Sequence, residues 1–284
     1  MSSVVYICFT IGNLLALGSA GVALVYLREN ANQRLLTAAY WLACGAFVSL
    51  ALMLALRSVQ WGLVPLTTAT DSISLMTVLA LGILVIQMGV DPMQRGLLCF
   101  HLPLLGVISG LNLATGLPAL GEAPRPLSSM LLIVHVGLVF LAYALLALAG
   151  VNSVAYARQA QLLKHRKTTG LFQKLPSLEL LDKNLFQLIR IGYPTYVFTL
   201  IAGGFWVWYE GDTLSPTWWF SPKVGMALAM LLFYAFAYHA RSAGRLRGPK
   251  LAHIVCYGTA TLIALYLVLA LAGVLNYNFY GAAG

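Results

Sequence analysis

The sequence predicts an all-α, polytopic membrane helix bundle with about eight transmembrane helices and both termini outside. Three observations lead there. Hydrophobic residues make up 60% of the 284 and charged residues 9%, against roughly 45–50% and about 25% in a soluble domain. At a mean hydropathy of +0.84, too little polar surface remains to cover a water-soluble core. The apolar residues also fall into eight stretches, each near the roughly 20 residues that cross about 30 Å of hydrocarbon. Finally, Lys and Arg gather in alternate connections, as the cytoplasmic loops of membrane proteins do.

The first stretch, 4–27, follows a bare Met-Ser-Ser with no basic residue, so it reads as a span and not as a cleaved leader. The second, 36–56, is followed by Arg57. The third, 69–90, opens at Asp71, where a helix N-terminus stabilises a carboxylate and Thr67, Thr68 or Thr70 is placed to cap. That structural role stands beside a direct ligand role. The fourth, 96–116, and the sixth, 185–209, contain Pro103 and Pro194, which predict kinks. The fifth, 128–157, ends in Asn152, Ser153 and Arg158 and is expected to project from the bilayer. The seventh and eighth are 222–243 and 251–275.

The one long connection, 158–184, is polar, basic and rich in helix formers. It is expected to extend the fifth helix, break at Gly170 and resume after Pro176 as a short interfacial helix, Ser177–Leu181. The whole of 1–284 is then a single integral membrane domain. Just over a third of the chain remains for loops and ends, which excludes a separate soluble enzyme or nucleic-acid module.

Orientation follows from charge. With the N-terminus outside, the inner set is Arg28, Arg34, Arg95, Arg158, Lys164, Arg166, Lys167, Lys174, Lys183, Arg190, Arg241, Arg245, Arg247 and Lys250. The outer set is Arg57, Arg125 and Lys223, so the asymmetry places 158–184 and 241–250 in the cytoplasm. The net charge of +9 is explained by these loops and does not point to nucleic acid. Cys8, Cys44, Cys99 and Cys256 lie far apart in apolar segments with no CxxC, and read as small buried hydrophobes and not as a zinc site.

Ionisable residues inside a membrane segment are expensive and draw a functional hypothesis first. His101, His239 and His253 share an inner depth on three helices, while His135 lies in the outer half of the fifth. His165, between Lys164 and Arg166, reads as solvated. Imidazole suits haem iron because one nitrogen donates to the metal while the other holds the ring by a hydrogen bond. For His101 and His253 the alternative is a histidine that reaches water or a headgroup. Arg190 and Arg241, at inner helix ends, either snorkel or pair with carboxylates such as haem propionates. Trp206, Trp208, Tyr209, Trp218, Trp219 and Phe220 form either an interfacial aromatic belt or a flat apolar platform for a porphyrin. No catalytic nucleophile, paired carboxylates or phosphate loop is written in the chain.

The segments "SSMLLIVHVGLVFLAYALLALAGV", "LLDKNLFQLIRIGYPTYVFTLIAGGFWVW", "SPKVGMALAMLLFYAFAYHARSAGRLRGPK" and "VPLTTATDSISLM" resemble pieces of the CcsA/ResC/HemX group of cytochrome c assembly and haem-handling membrane proteins. Together they cover most of residues 61–281. The resemblance implies that His135 is an external-side haem ligand and His239 a membrane-embedded one, with haem (heme b) as cofactor. Two departures place the chain nearer the HemX-like members. The tryptophan-rich loop reads "WYEGDTLSPTWWFSP" without the group's motif, and Asn278 stands where a second external histidine is found.

The resemblance implies a protein of the bacterial inner (plasma) membrane that acts in cytochrome c assembly, at most part of a haem-ligation system and not an enzyme by itself. A second assembly subunit is the partner this implies. The alternatives are a HemX-like regulator that docks a tetrapyrrole-synthesis enzyme, glutamyl-tRNA reductase, on the basic loop 158–184, and a non-catalytic accessory subunit of a larger complex.

Overall fold

The computed structural model describes residues 2–28, 32–61, 68–118, 130–166, 170–210 and 220–271. Every regular element among them is helical: α1 (Ser2–Arg28), α2 (Gln33–Trp61), α3 (Ala69–Val90), a 3-10 turn (Pro92–Leu97), α4 (Leu98–Ala114), α5 (Met130–Lys164), α6 (Leu171–Lys174), α7 (Leu178–Glu210), α8 (Pro222–Ser242) and α9 (Pro249–Leu271). Among the described residues seven helices are long and apolar enough to cross a membrane, and α9 adds a shorter apolar helix over Pro249–Leu265. The eight expected spans correspond to α1 to α5 and α7 to α9. α5, at 35 residues and about 1.5 Å per residue, is longer than the roughly 30 Å of a hydrocarbon core requires.

Because these helices are apolar nearly all round, small residues decide which face is inside. α1 turns Gly12, Ala16, Ser19, Ala20 and Ala23 inward against α2 and α4. The backbones there are close enough that a Cβ on Gly12 would lie 2.6 Å from Leu50 Cγ, and one on Gly106 of α4 2.6 Å from Ala20 Cβ. Without a hydrophobic drive between helices in lipid, such close packing is a main source of association. α5 is the hub of the second half, packing on α7 and α9, while α7 packs on α8 and α8 on α9.

Three sequence expectations change. Ser177–Leu181 is not a separate interfacial helix: the turn that opens at Ser177 runs on without a break through Glu210, because neither glycine nor proline stands between Leu178 and Ile191. Arg57 is not a loop cation; it is fully buried and ion-paired to Asp71, 2.7 Å from Nε to Oδ1. Thr68 is the cap, accepting from the Asp71 N–H at 3.1 Å. Finally, 158–184 is not wholly a free surface. Lys174 Nζ donates to the carbonyls of Tyr26 and Leu27 at 2.8 and 3.0 Å, capping the end of α1. Gln159 Nε2 donates to Phe172 O at 3.1 Å, and Lys174, Leu175 and Pro176 are buried. Residues 174–176 form a strap across the end of the bundle where α1 terminates, while Arg158, Gln161 and Leu163 to Arg166 are exposed.

Candidate functional site

α7 carries Phe186, Arg190 and Tyr193 at the four- and three-residue spacing that lines one helical face. α8 answers with Tyr238 and Arg241. The ring of Tyr238 lies 6.3 Å from Phe186 and 5.1 Å from Tyr193, and the Arg241 guanidinium sits 5.4 Å over Phe186. His239 stands at the edge of this aromatic seam, edge-on to Tyr193 at 5.9 Å and to Tyr238 at 5.2 Å. Its side chain is exposed, and no hydrogen-bond partner meets it among the described residues. Toward the N-terminus of α7 the seam widens into a groove of about 280 Å³, lined by Phe186, Gln187, the cations Lys183, Arg190 and Arg241, and the carboxylates Glu179 and Asp182. Arg190 is exposed there. Arg241 is committed instead to Asp182, which also accepts from the Gly248 N–H at 3.1 Å.

Asp182 therefore ties the "LLDKN" segment to the "HARSAGRLRG" segment. Gly248 sits at φ +57, and a Cβ there would lie 3.0 Å from Tyr156 Oη, so the turn that meets Asp182 needs glycine.

His135 lies between α5 and α7. Its Nδ1 is 2.8 Å from the Thr199 carbonyl, to which it donates as N–H. The ring rests on Gly203, where an added Cβ would fall 2.6 Å from Cε1 and 2.8 Å from Nδ1. Neutral imidazole donates through one nitrogen only, so Nε2 keeps its lone pair. This is the arrangement in which a second-shell carbonyl orients a metal-ligating histidine. Trp206 is buried, continuing the spacing of Thr199 and Gly203.

The other histidines are placed differently. His101 is 1% exposed, with Nδ1 2.9 Å from Leu97 O and Nε2 3.4 Å from Leu148 O. Both ring nitrogens thus face backbone carbonyls, and α4 packs on α1, α3 and α5, so His101 is not brought to the α7–α8 seam. His253 is exposed, bonds Pro249 O through Nδ1 at 2.6 Å and stacks on Tyr257 at 6.3 Å. It lies on the far side of α9 from the buried Leu251 and Val255. His165 is exposed, as expected.

Phe205, Trp208 and Tyr209 near the C-terminal end of α7, and Phe220 just before α8, are exposed. A shallow groove of about 260 Å³ runs over Ile201, Gly204, Phe205 and Trp208, on the opposite face of α7 from Thr199 and Gly203 at about 100° per residue. Trp218, Trp219 and Asn278 lie outside the described residues.

No group of three or more His, Cys, Asp or Glu gathers among the described residues, so a bare metal ion lacks a protein cage. Haem would need an imidazole nitrogen and apolar walls from the protein, and His239 beside Tyr193 and Tyr238, or His135 through its Nε2, would be the residues to hold it. Sequence reasoning missed Tyr193, Asp182, Thr199 and Gly203. A carbonyl partner and an absent side chain leave no signal in residue type, although all four lie within the quoted "LLDKN…GGFWVW" segment.

A bundle of helices long and apolar enough to cross a membrane defines the class, a polytopic integral membrane protein. The family can be given as well: the model of the cytochrome C assembly protein family matches residues 36–275, and the chain belongs to that family. It is 32% identical over 150 residues to Protein HemX of Bacillus subtilis (strain 168), covering 53% of this chain and 52% of that protein. It is 24% identical over 243 residues to the cytochrome c biogenesis protein CcsA of Guillardia theta, covering 80% and 79%. With the CcsA of Thermosynechococcus vestitus it shares 30% identity over 101 residues, or 36% and 31% of the two chains. The match thus spans about half the length of the Bacillus HemX protein.

Proposed function

We propose that this protein handles haem in cytochrome c assembly, with haem b as its cofactor, in the bacterial inner membrane. The observation that carries the reading is His239: an exposed imidazole without a hydrogen-bond partner among the described residues, at the edge of an aromatic seam. Haem supplies the redox-active iron, while the protein supplies an axial nitrogen, orientation and exclusion of water. His239 is the first ligand and His135 the second, outer one. Arg190, exposed one turn inward from Tyr193 on α7, pairs with a propionate; Arg241 supports it by holding the groove through Asp182. A second assembly subunit is the partner. Both termini face outward, and residues 164–166 face the cytoplasm.

An absorption spectrum of the detergent-purified protein, with pyridine extraction for haem type, tests the reading. A b-type spectrum lost in His239→Ala supports it. Protein that contains no haem and cannot be reconstituted with it overturns it.

The similarity to HemX favours a second reading, regulatory docking of a tetrapyrrole-synthesis enzyme. Its surface is the exposed end of α5 at Lys164, His165 and Arg166. Binding of glutamyl-tRNA reductase that is abolished by Lys164→Glu with Arg166→Glu supports that reading; unchanged binding in this variant, or none to the wild type, removes it.

A further inference from the structure

We infer that Gly203 is the positioning residue for His135: the imidazole occupies the space a side chain would take, and the Thr199 carbonyl then fixes Nε2 as the nitrogen presented to iron. The inference rests on the reading above that His135 is a haem ligand, and it adds what selects the ligating nitrogen. Three observations converge on it.

The first is steric. A Cβ on Gly203 falls 2.6 Å from His135 Cε1 and 2.8 Å from Nδ1, well inside van der Waals contact. What stands there is the far end of one side chain, so alanine displaces the ring and leaves the backbones in place. The second is polar. His135 Nδ1–H donates to Thr199 O at 2.8 Å, one helical turn before Gly203 on the same face of α7. The neutral ring has one N–H, so this bond settles the tautomer. The third is a contrast along the same helix. Gly192 also faces α5, but a Cβ there would meet Leu146 Cδ2 at 2.9 Å and Leu145 Cβ at 3.1 Å, while one on Gly204 would meet nothing within 4 Å. Gly203 is thus the glycine on α7 whose emptiness belongs to a histidine.

The first experiment needs no haem. In protein labelled with nitrogen-15 at histidine, assigned by loss in His135→Ala, the side-chain shifts report which nitrogen of His135 is protonated. The wild type is expected to show Nδ1–H with unprotonated Nε2, and Gly203→Ala to lose that signature while Gly192→Ala and Gly204→Ala keep it. An Nε2–H tautomer in the wild type, or an unchanged His135 in Gly203→Ala, overturns the inference whether or not the protein takes up haem.

The second is a double-mutant cycle on haem affinity. Gly203→Ala is expected to weaken the His135-dependent component about 10-fold or more, as loss of a partner that orients a ligating histidine does. In the His135→Ala background the same change should have no further effect. Equal losses in both backgrounds would make Gly203 a packing residue and sink the inference. Absence of haem from the wild type would instead overturn the haem reading.

Discussion

Arg57 and Asp71 join α2 to α3 from inside the bundle. Nε and Nη2 of the arginine lie 2.7 and 2.9 Å from the two carboxylate oxygens, and neither side chain is exposed. Thr68 Oγ1 donates to the same carboxylate at 2.6 Å. Nearby, Asn112 bonds Ser74 at 2.9 Å and Asn13 at 3.3 Å, extending buried polar contacts to α4 and α1. Removing one partner of a buried pair strands a charge in low dielectric at a cost of about 3–5 kcal/mol, whereas replacing both with apolar residues is often neutral or stabilising. Arg57→Leu and Asp71→Leu are each expected to lower thermal stability in detergent sharply, and the double variant to recover most of the loss. A double variant as unstable as the worse single one would show that the pair is more than an electrostatic pin.

The link between Asp182 and the α8–α9 turn makes a second expectation. Asp182 accepts from both Arg241 and the Gly248 N–H, so Asp182→Ala leaves a partly buried guanidinium and a backbone donor unmet. Charged hydrogen bonds contribute about 1.5–3 kcal/mol each at most, and the partial exposure here reduces that. Asp182→Ala should therefore destabilise measurably, and Gly248→Ala comparably, through strain at positive φ and the contact with Tyr156. Differential scanning fluorimetry of the two variants and their combination checks this: removals within one linked turn should be less than additive.

His239 and His101 separate ligand from structure. The His239 ring bonds nothing among the described residues and is exposed, so His239→Ala is expected to reduce haem content with little change in unfolding temperature. His239→Gln should behave alike, since an amide keeps polarity but is a poor iron ligand. His101→Ala empties a fully buried site at the α4–α5 interface and removes the donor to a buried carbonyl, so it is expected to destabilise by about 2–5 kcal/mol. His135→Ala should remove less haem than His239→Ala. Haem content by pyridine extraction beside unfolding temperature for the three variants decides the assignment; haem loss in His239→Ala that only follows unfolding would reject the ligand role.

The helices were legible because membrane spans are written in composition and length, and Ala69–Val90 begins and ends where the hydropathy pattern does. The fusion of Ser177–Leu181 into α7 was not legible, since Pro176 looks like a boundary on either account. Arg57 was misread as a loop charge because charge position alone does not reveal a partner fourteen residues on. At the site, the histidines could be singled out by type, but not their orientation. His101 and His253 share a depth in the sequence; only packing shows one sealed between carbonyls and the other facing away from the bundle. Gly203 acts by what it lacks, which no residue type announces.

The strap across the end of the bundle where α1 terminates offers the last test, and it joins topology to packing. Lys174 places a cation on the terminal carbonyls of α1, where the helix dipole is negative and the carbonyls lack intrahelical donors. Leu175 and Pro176 are tucked beneath, and Gly96 admits the strap so closely that a Cβ there would lie 2.5 Å from Lys174 O. In a background without the native cysteines, His165→Cys on the exposed part should react with a membrane-impermeant maleimide only after the cytoplasmic side is opened. Leu175→Cys, being buried, should react from neither side. Lys174→Ala removes two charged hydrogen bonds, so in that background Leu175→Cys should gain reactivity while His165→Cys stays as it was. Labelling of His165→Cys from outside intact cells would invert the topology. A Leu175→Cys that reacts as readily with Lys174 present as without it would show that the strap is not held by this contact.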